Sequence, residues 1–247
     1  MSRPQDESTQ ILTPRPELAP GLVLGDGVEV PRDASIGANV VIHAGTEIGS
    51  GVVLQDGAVI GKSPVLGRRS SAPRMELAPT RLADGVAVLT GAVIFAGARL
   101  EPGAIAGDQC HVRERAEIGA GSVIGRGTAI DNDVIVGKEV RIQSNCYLTS
   151  HTVIEDHVFV GPGVTTTNDN TMARQPLDVP MPAPWLERAC RIGGGVVLCP
   201  GVRIGAEAYV AAGSVVVGDI PAQTVVMGVP ARRARQVPDG DLIEHWL

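Results

Sequence analysis

Residues 192–216 read "IGGGVVLCPGVRIGAEAYVAAGSVV". An aliphatic side chain returns at every sixth position, at Ile192, Leu198, Ile204, Val210 and Val216, and four places after the first four of these stands a small or β-branched residue: Val196, Val202, Ala208, Ser214. Glycine recurs one and three places after the anchor. A period of six is not a helix face, which repeats near 3.6, and a lone strand alternates by two over only a short run. It suits a strand of a few residues, a tight corner that accepts positive φ, and another strand, with anchor and small residue both pointing inward. Three such strands close a triangular coil of eighteen residues.

Outward from this stretch the same spacing holds at 24, 30, 36, 42, 48, 54 and 60, and again from Leu82 through Thr166, where only Ala106 and Thr166 are not aliphatic. The twenty-seven hexads predict an all-β solenoid of nine coils, stacked as parallel strands about 4.8 Å apart. Two stretches, 66–81 and 172–191, lose the period and are rich in Pro, Arg and polar residues, so they read as loops projecting from the coil. Residues 1–21 read as a flexible or edge-covering arm, 22–221 as the repeat domain, and 222–247 as a tail whose "DLIEHWL" makes a short capping helix.

Composition agrees with a narrow interior. Aromatic residues are 2% of the chain while glycines number 31, so Val, Ile, Ala and Gly must fill the core. The net charge of −6, with basic residues clustered only in "ARRAR", argues against nucleic acid as a partner. No apolar run is long enough to cross a bilayer, and the expectation is a soluble, cytoplasmic protein with no membrane partner. Cys110, Cys146, Cys190 and Cys199 form no C-x-x-C pair and read as small buried hydrophobes.

Residues eighteen apart sit above one another in such a coil, which turns the corners into columns. The hexads beginning at Val112, Ile130, Leu148 and Thr166 share a face, and their corner triplets are "RER", "DND", "TSH" and "TND" where other corners carry "GAG", "GRG" or "GPG". The third positions stack Arg115, Asp133, His151 and Asp169; the second positions stack Glu114, Asn132, Ser150 and Asn168. His151 therefore has a carboxylate one coil below and one above. Such a neighbour favours imidazolium and can fix the tautomer, which a general base needs. The alternative is a solvated polar ladder. His43, His111, His157 and His245 lie elsewhere and read as surface or packing residues. His151 and His157 stand on different edges, so zinc's convergent ligand set is not met within one chain, and no metal is expected.

The hexads resemble the left-handed parallel β-helix of the hexapeptide-repeat acyltransferase superfamily, and the handedness is what that resemblance implies. In the C-terminal half, "VRIQSNCYLTSHTVIEDHVFVGPGVTTTNDNTMAR" and "IGGGVVLCPGVRIGAEAYVAAGSVVVGDIPAQTVVMGVPARRAR" are similar to nucleotide-linked amino-sugar N-acetyltransferases. The shared motifs are I-Q-x-N at Ile142, Gln143 and Asn145, T-N-D at Thr167, Asn168 and Asp169 with Arg174 following, and G-V-P-A-R-x-x-R from Gly228 to Arg235. The chain departs in having Ala173 where those relatives have proline, Val217-Gly218-Asp219 where they often have T-K-D, and extra hexads over 22–87.

The resemblance implies acetyl-CoA, or another short acyl-CoA, as co-substrate and a homotrimer with active sites between subunits. It places Gly194, Ala211, Ala212, Val217, Gly218, Arg232 and Arg235 at the cofactor, and Gln143, Asn145, Tyr147 and Arg174 at a small-molecule acceptor. His151 is the expected base, oriented by Asp169 or Asp133, with Asn168 holding the acceptor or reacting carbonyl. The expected reaction is N-acetylation of an amine on a nucleotide-linked sugar; an O-acetyltransferase and a non-catalytic scaffold are the alternatives.

Overall fold

The computed structural model describes residues 12–68, 70, 72–176 and 179–247. The first eleven residues of the expected arm, and residues 69, 71, 177 and 178 of the two expected loops, lie outside that description.

The hexads fold as their spacing requires. Short strands carrying Leu24, Ile42, Ile60, Ile94, Val112, Ile130, Leu148, Thr166, Leu198 and Val216 form a first face, those carrying Ile48, Leu82, Leu100, Ile118, Val136, Ile154, Leu186 and Ile204 a second, and those carrying Ile36, Leu54, Val88, Ala106, Ile124, Ile142, Val160, Ile192 and Val210 a third. Each strand pairs in parallel with its equivalent one coil away, as in Ala129–Ile130 against Tyr147–Leu148. The chain visits first, second and third face in turn, making a left-handed parallel β-helix.

Anchors and small residues together make one continuous core; Ile42, Ile94, Ile130 and Leu148 are fully buried, as are Ala58, Ala98, Cys110 and Val196 between them. Cys110, Cys146 and Cys190 all occupy the small inward position, and all four cysteines are free thiols. Polar residues at that position are tied to the backbone: Ser122 Oγ donates to Gly137 O at 2.7 Å, and Thr128 Oγ1 to Gln143 O at 3.0 Å. The interior thus satisfies its few polar groups, as burial demands.

Three sequence expectations need correction. The first and third faces carry eleven strands each, one of them antiparallel in each case, so the solenoid is taller than the nine coils that hexad counting gives. One uncounted strand is Trp185–Leu186, which stacks between Val153–Ile154 and Arg203–Ile204. The second loop therefore ends before Trp185 and not at 191. Another is Thr224–Met227, which pairs with Tyr209–Val210 after a coil two residues short. The tail is also not an α-helix: Asp239–Asp241 and Ile243–His245 are single 3-10 turns.

One face is capped at each end of the solenoid by an antiparallel strand. Leu12–Pro14 runs antiparallel to Val23–Gly25, so the described part of the arm caps the lower edge of the first face. Arg232–Gln236 runs antiparallel to Thr224–Met227 at the top of the third face. From there the chain turns down that face, where the Ile243 amide donates to Glu207 at 2.7 Å and Trp246 lies 4.4 Å from the Arg191 guanidinium. Closing exposed strand edges in this way removes templates for edge-to-edge association.

Candidate functional site

The two long insertions leave the prism at the same edge. Ile60 and Thr166 are both anchors of the first face; after each, the chain departs from the corner that should carry it to the second face, returning at Thr80–Leu82 and at Trp185–Leu186. Between them lie four unbroken corners of that edge, 95–97, 113–115, 131–133 and 149–151. The last three are three of the four polar triplets that the sequence singles out, the fourth, 167–169, being where the second insertion departs.

Side chains join these corners vertically. Arg115 donates from Nε and Nη2 to the two Asp133 oxygens at 2.6 and 2.8 Å, a forked pair one coil tall. Arg113 does the same work beside it, bonding Glu114 at 2.8 and 3.1 Å and Asp131 at 2.5 Å. Glu114 is completely buried, and the Tyr147 hydroxyl donates to the remaining Asp131 oxygen at 3.1 Å. In these pairs both partners are at least partly enclosed, whereas each other ion pair among the described residues has at least one exposed partner. A forked arginine–carboxylate pair fixes geometry as well as charge.

His151 stands on top of this stack, exposed, with its amide bonded to Asn132 O at 3.2 Å. Arg115, Asp133 and His151 all adopt positive φ, at 61°, 58° and 64°. That conformation disfavours an L residue by roughly 1–2 kcal/mol. It is met on the other edges too, at Asn145 and His157 for example, so it belongs to the corner and not to the site. Burial would raise the Asp133 pKa, but hydrogen bonds from Arg115 and Asn132, and the charges of Arg115 and His151, outweigh it and hold the carboxyl below the ordinary value. Asp133 is thus an ionised, immobile carboxylate facing His151 from below.

The expected carboxylate above His151 is turned elsewhere. Asp169 Oδ1 accepts the Thr171 amide at 2.6 Å and hydroxyl at 2.7 Å, and Oδ2 accepts the Ala173 amide at 2.6 Å. Hydrogen bonds from Ala173 and Thr171 lower its pKa, and the role they show is to fold the first turn of the second insertion. The chain leaves the coil at this point, which breaks the third-position column. The second-position column survives: Asn168 Nδ2 donates to Ser150 Oγ at 2.9 Å, leaving Asn168 beside the His151 corner. Arg174 is exposed on the insertion that follows.

The remaining expected residues divide between edges. Gln143 and Asn145 belong to the corner from the third to the first face, one edge away from His151 within a single chain. Gly194, Ala211 and Ala212 stack on that same edge, so the structure gathers these five into one strip. Space there is short: a Cβ on Gly161 would come within 2.6 Å of the Gly194 amide. Val217 and Gly218 instead lie at the top of the His151 edge. Arg235 shares a cavity of about 440 Å³ with Ala211, Tyr209 and Met227, while the Arg232 and Arg235 side chains donate to the carbonyls of Ala231 and Gln236, at 2.9 and 3.1 Å. Neither pairs with a carboxylate among the described residues, which leaves both guanidinium charges available to an anion.

Two features were not foreseen. The coincidence of both insertions on the His151 edge could have been found by assigning each broken hexad to its face. The Arg113–Asp131–Tyr147 chain needed side-chain directions that spacing does not supply.

Comparison with known proteins agrees with this architecture. The model of the hexapeptide repeat of succinyl-transferase matches residues 27–62 and 186–217, the second match beginning at the strand that the sequence pattern hid. The Saccharomyces cerevisiae protein YJL218W, provisionally named an acetyltransferase, is 38% identical over 97 residues, 36% of this chain and 47% of its own length. The 2,3,4,5-tetrahydropyridine-2,6-dicarboxylate N-acetyltransferase of Enterococcus faecalis is 47% identical over 64 residues, 26% of this chain and 28% of that one. A solved UDP-N-acetylglucosamine acyltransferase from Campylobacter jejuni superposes with a TM-score of 0.56 at 15% identity, over 88% of this chain and 73% of that one, a likeness of fold. In its repeat and in these aligned segments the chain is similar to hexapeptide-repeat acyltransferases. It spans about half or less of the length of these curated relatives.

Proposed function

We propose that this chain transfers an acetyl or other short acyl group from coenzyme A to an amine of a small acceptor, an amino sugar linked to a nucleotide being the foremost candidate. The observation that carries the reading is the polar edge: an exposed His151 directly above an ionised Asp133 that is itself locked by Arg115. The amine nitrogen attacks the thioester carbonyl, the carbon–sulfur bond breaks, and the amine proton passes through His151 to the departing thiolate, giving amide and free coenzyme A. His151 is the base, Asp133 the positioning carboxylate, and Asn168 holds the acceptor or the reacting carbonyl. A positioned base supplies about 10² to 10⁴ in rate.

The strip of Gln143, Asn145, Gly194, Ala211 and Ala212 lies one edge away, so the complete site forms between neighbouring prisms, the His151 edge of one copy facing that strip on the next. This calls for a homotrimer. The tail from 222 to 247 supplies Arg232 and Arg235 to the coenzyme A phosphates, whose oxygens suit guanidinium forks. Acceptors on which Tyr147 and Arg174 close complete the arrangement.

A hydroxyl acceptor is the second reading, supported by 40% identity over 57 residues to the galactoside O-acetyltransferase of Lactococcus lactis, 23% of this chain and 28% of that one. Free-thiol release from acetyl-CoA, measured against a panel of nucleotide-linked amino sugars and their hydroxyl analogues, separates the two. Turnover restricted to amines is the expected result. Turnover restricted to hydroxyls selects the second reading, and neither turnover nor coenzyme A binding defeats both in favour of a scaffold.

A further inference from the structure

The lower insertion builds a cavity of about 630 Å³ against the His151 edge, within the size range of small-molecule sites. Gly61, Ala96 and Arg115, from three successive coil levels, form its floor; Leu66, Arg74 and Leu77 of the insertion form its wall. Arg115 is the group that links this cavity to the column. Its Nε and Nη2 are spent on Asp133, but Nη1 is buried and has no acceptor among the described residues. A buried donor left unpaired forfeits the hydrogen bond it would have made to water. Arg74 reaches Gly67 O with Nη2 at 2.7 Å, and the rest of its fork has no partner among the described residues. Two guanidinium groups with spare donors therefore meet at one pocket whose remaining lining is mostly apolar, with Glu76 the one acid among the lining residues.

We propose that this cavity binds an anionic group, phosphate or carboxylate, at the far end of the acceptor whose nucleophile sits at His151. Arg115 lies two coils below His151, about 10 Å at the rise of stacked strands. The acceptor is thus an elongated molecule with its reacting group and its charge separated by about that length. A small shift of the insertion uncovers Nη1, and the ligand oxygen supplies the acceptor it lacks. This rests on the acyl-transfer reading for the position of the nucleophile, but the anion site itself does not need catalysis to be seen.

Titration calorimetry on the full chain, with and without saturating coenzyme A to occupy the tail arginines, tests it with UDP, inorganic pyrophosphate and glutarate as probes. At least one probe should bind in the presence of coenzyme A, UDP and pyrophosphate marking a phosphate site and glutarate a carboxylate site. Arg74→Gln, on the exposed insertion, and Ala96→Trp, which fills the floor, should each weaken that probe about tenfold or more, the loss of a charged hydrogen bond. Coenzyme A affinity should stay unchanged in both. Failure of all three probes, or binding indifferent to both substitutions, overturns the proposal. Probe binding in a chain that releases no thiol with any acceptor of the panel and does not bind coenzyme A would instead defeat the acyl-transfer reading and leave the anion site standing.

Discussion

At the corner from the third to the first face, backbone stacks directly on backbone: a Cβ on Gly125 would meet the Gln143 carbonyl carbon at 2.5 Å, and one on Gly161 the Gly194 amide at 2.6 Å. At the corner from the first to the second face, the equivalent positions hold Arg113, Asp131, Thr149 and Thr167, and the coils are joined by side-chain ion pairs and hydrogen bonds. One edge of the prism is a bare shelf along which a ligand can lie close to the main chain. The other is a wall of fixed charges that carries the two insertions. The fold is indifferent to the choice, since both edges support the same buried anchors; the difference is therefore chemical, and it is where function should be sought.

The bare shelf should be the more fragile. Gly161→Ala forces a backbone shift in a close-packed coil, and overpacking of that kind costs about 1–3 kcal/mol or more. The urea midpoint of the variant should drop accordingly. An unchanged midpoint would mean the upper coils are looser than their spacing implies.

The wall should show its strength as a dependence on pH. The Asp133 pKa is lowered in the folded chain, so its contribution is full above the ordinary carboxylate pKa of 3.8 and is lost as pH falls through the folded value. Arg115→Gln removes the fork that causes this. The variant should lose about 1–2 kcal/mol at pH 7, a charged hydrogen-bond pair. That deficit should shrink as pH falls from the ordinary carboxylate value through the lowered folded one, below which Asp133 is protonated in both states. A deficit independent of pH would show that Arg115 acts by packing alone.

A gentler substitution separates the two demands on the shelf. Gly163 has positive φ, 68°, but open space where a Cβ would go. Gly163→Ala should therefore cost only the left-handed strain of roughly 1–2 kcal/mol, less than Gly161→Ala measured in the same urea series.

The thiols report on the interior with the smallest perturbation. Burial pushes the Cys110 thiol up to about 12 and moves Cys190 further in the same direction, whereas Cys199 is half-buried at a corner of the polar edge. Alkylation of the native chain at pH 8 should modify Cys199 first and leave Cys110 and Cys190 unmodified until unfolding, as mass spectrometry of the digested protein would show.

Much of this was legible in the sequence because the repeat makes position equal to place. Ile130 and Leu148 stack because they are eighteen apart, and so do Asp133 and His151. Legibility failed where the spacing did. Leu186 is a proper anchor, but the run "PMPAPW" before it looks like loop, so a coil was lost from the count. Val226 was hidden by a coil two residues short. Asp169 occupies the right column by number, yet an insertion starts there and its carboxylate serves the loop, a choice made by local amide donors that periodicity cannot register. The cavity beneath the lower insertion was equally out of reach, since a loop without a period has no predictable place.

The most direct test of the central claim sets two histidines against each other. His151 and His157 both occupy the third position of a corner, with φ of 64° and 61°, but on different edges of the prism. Acetyl transfer to the best acceptor of the panel should fall by about 10² to 10⁴ in His151→Ala, the contribution of a positioned base. Coenzyme A binding should be retained, and His157→Ala should turn over like the wild type. Equal activity in the two variants, whether both active or both dead, would contradict the assignment of the chemistry to the polar edge.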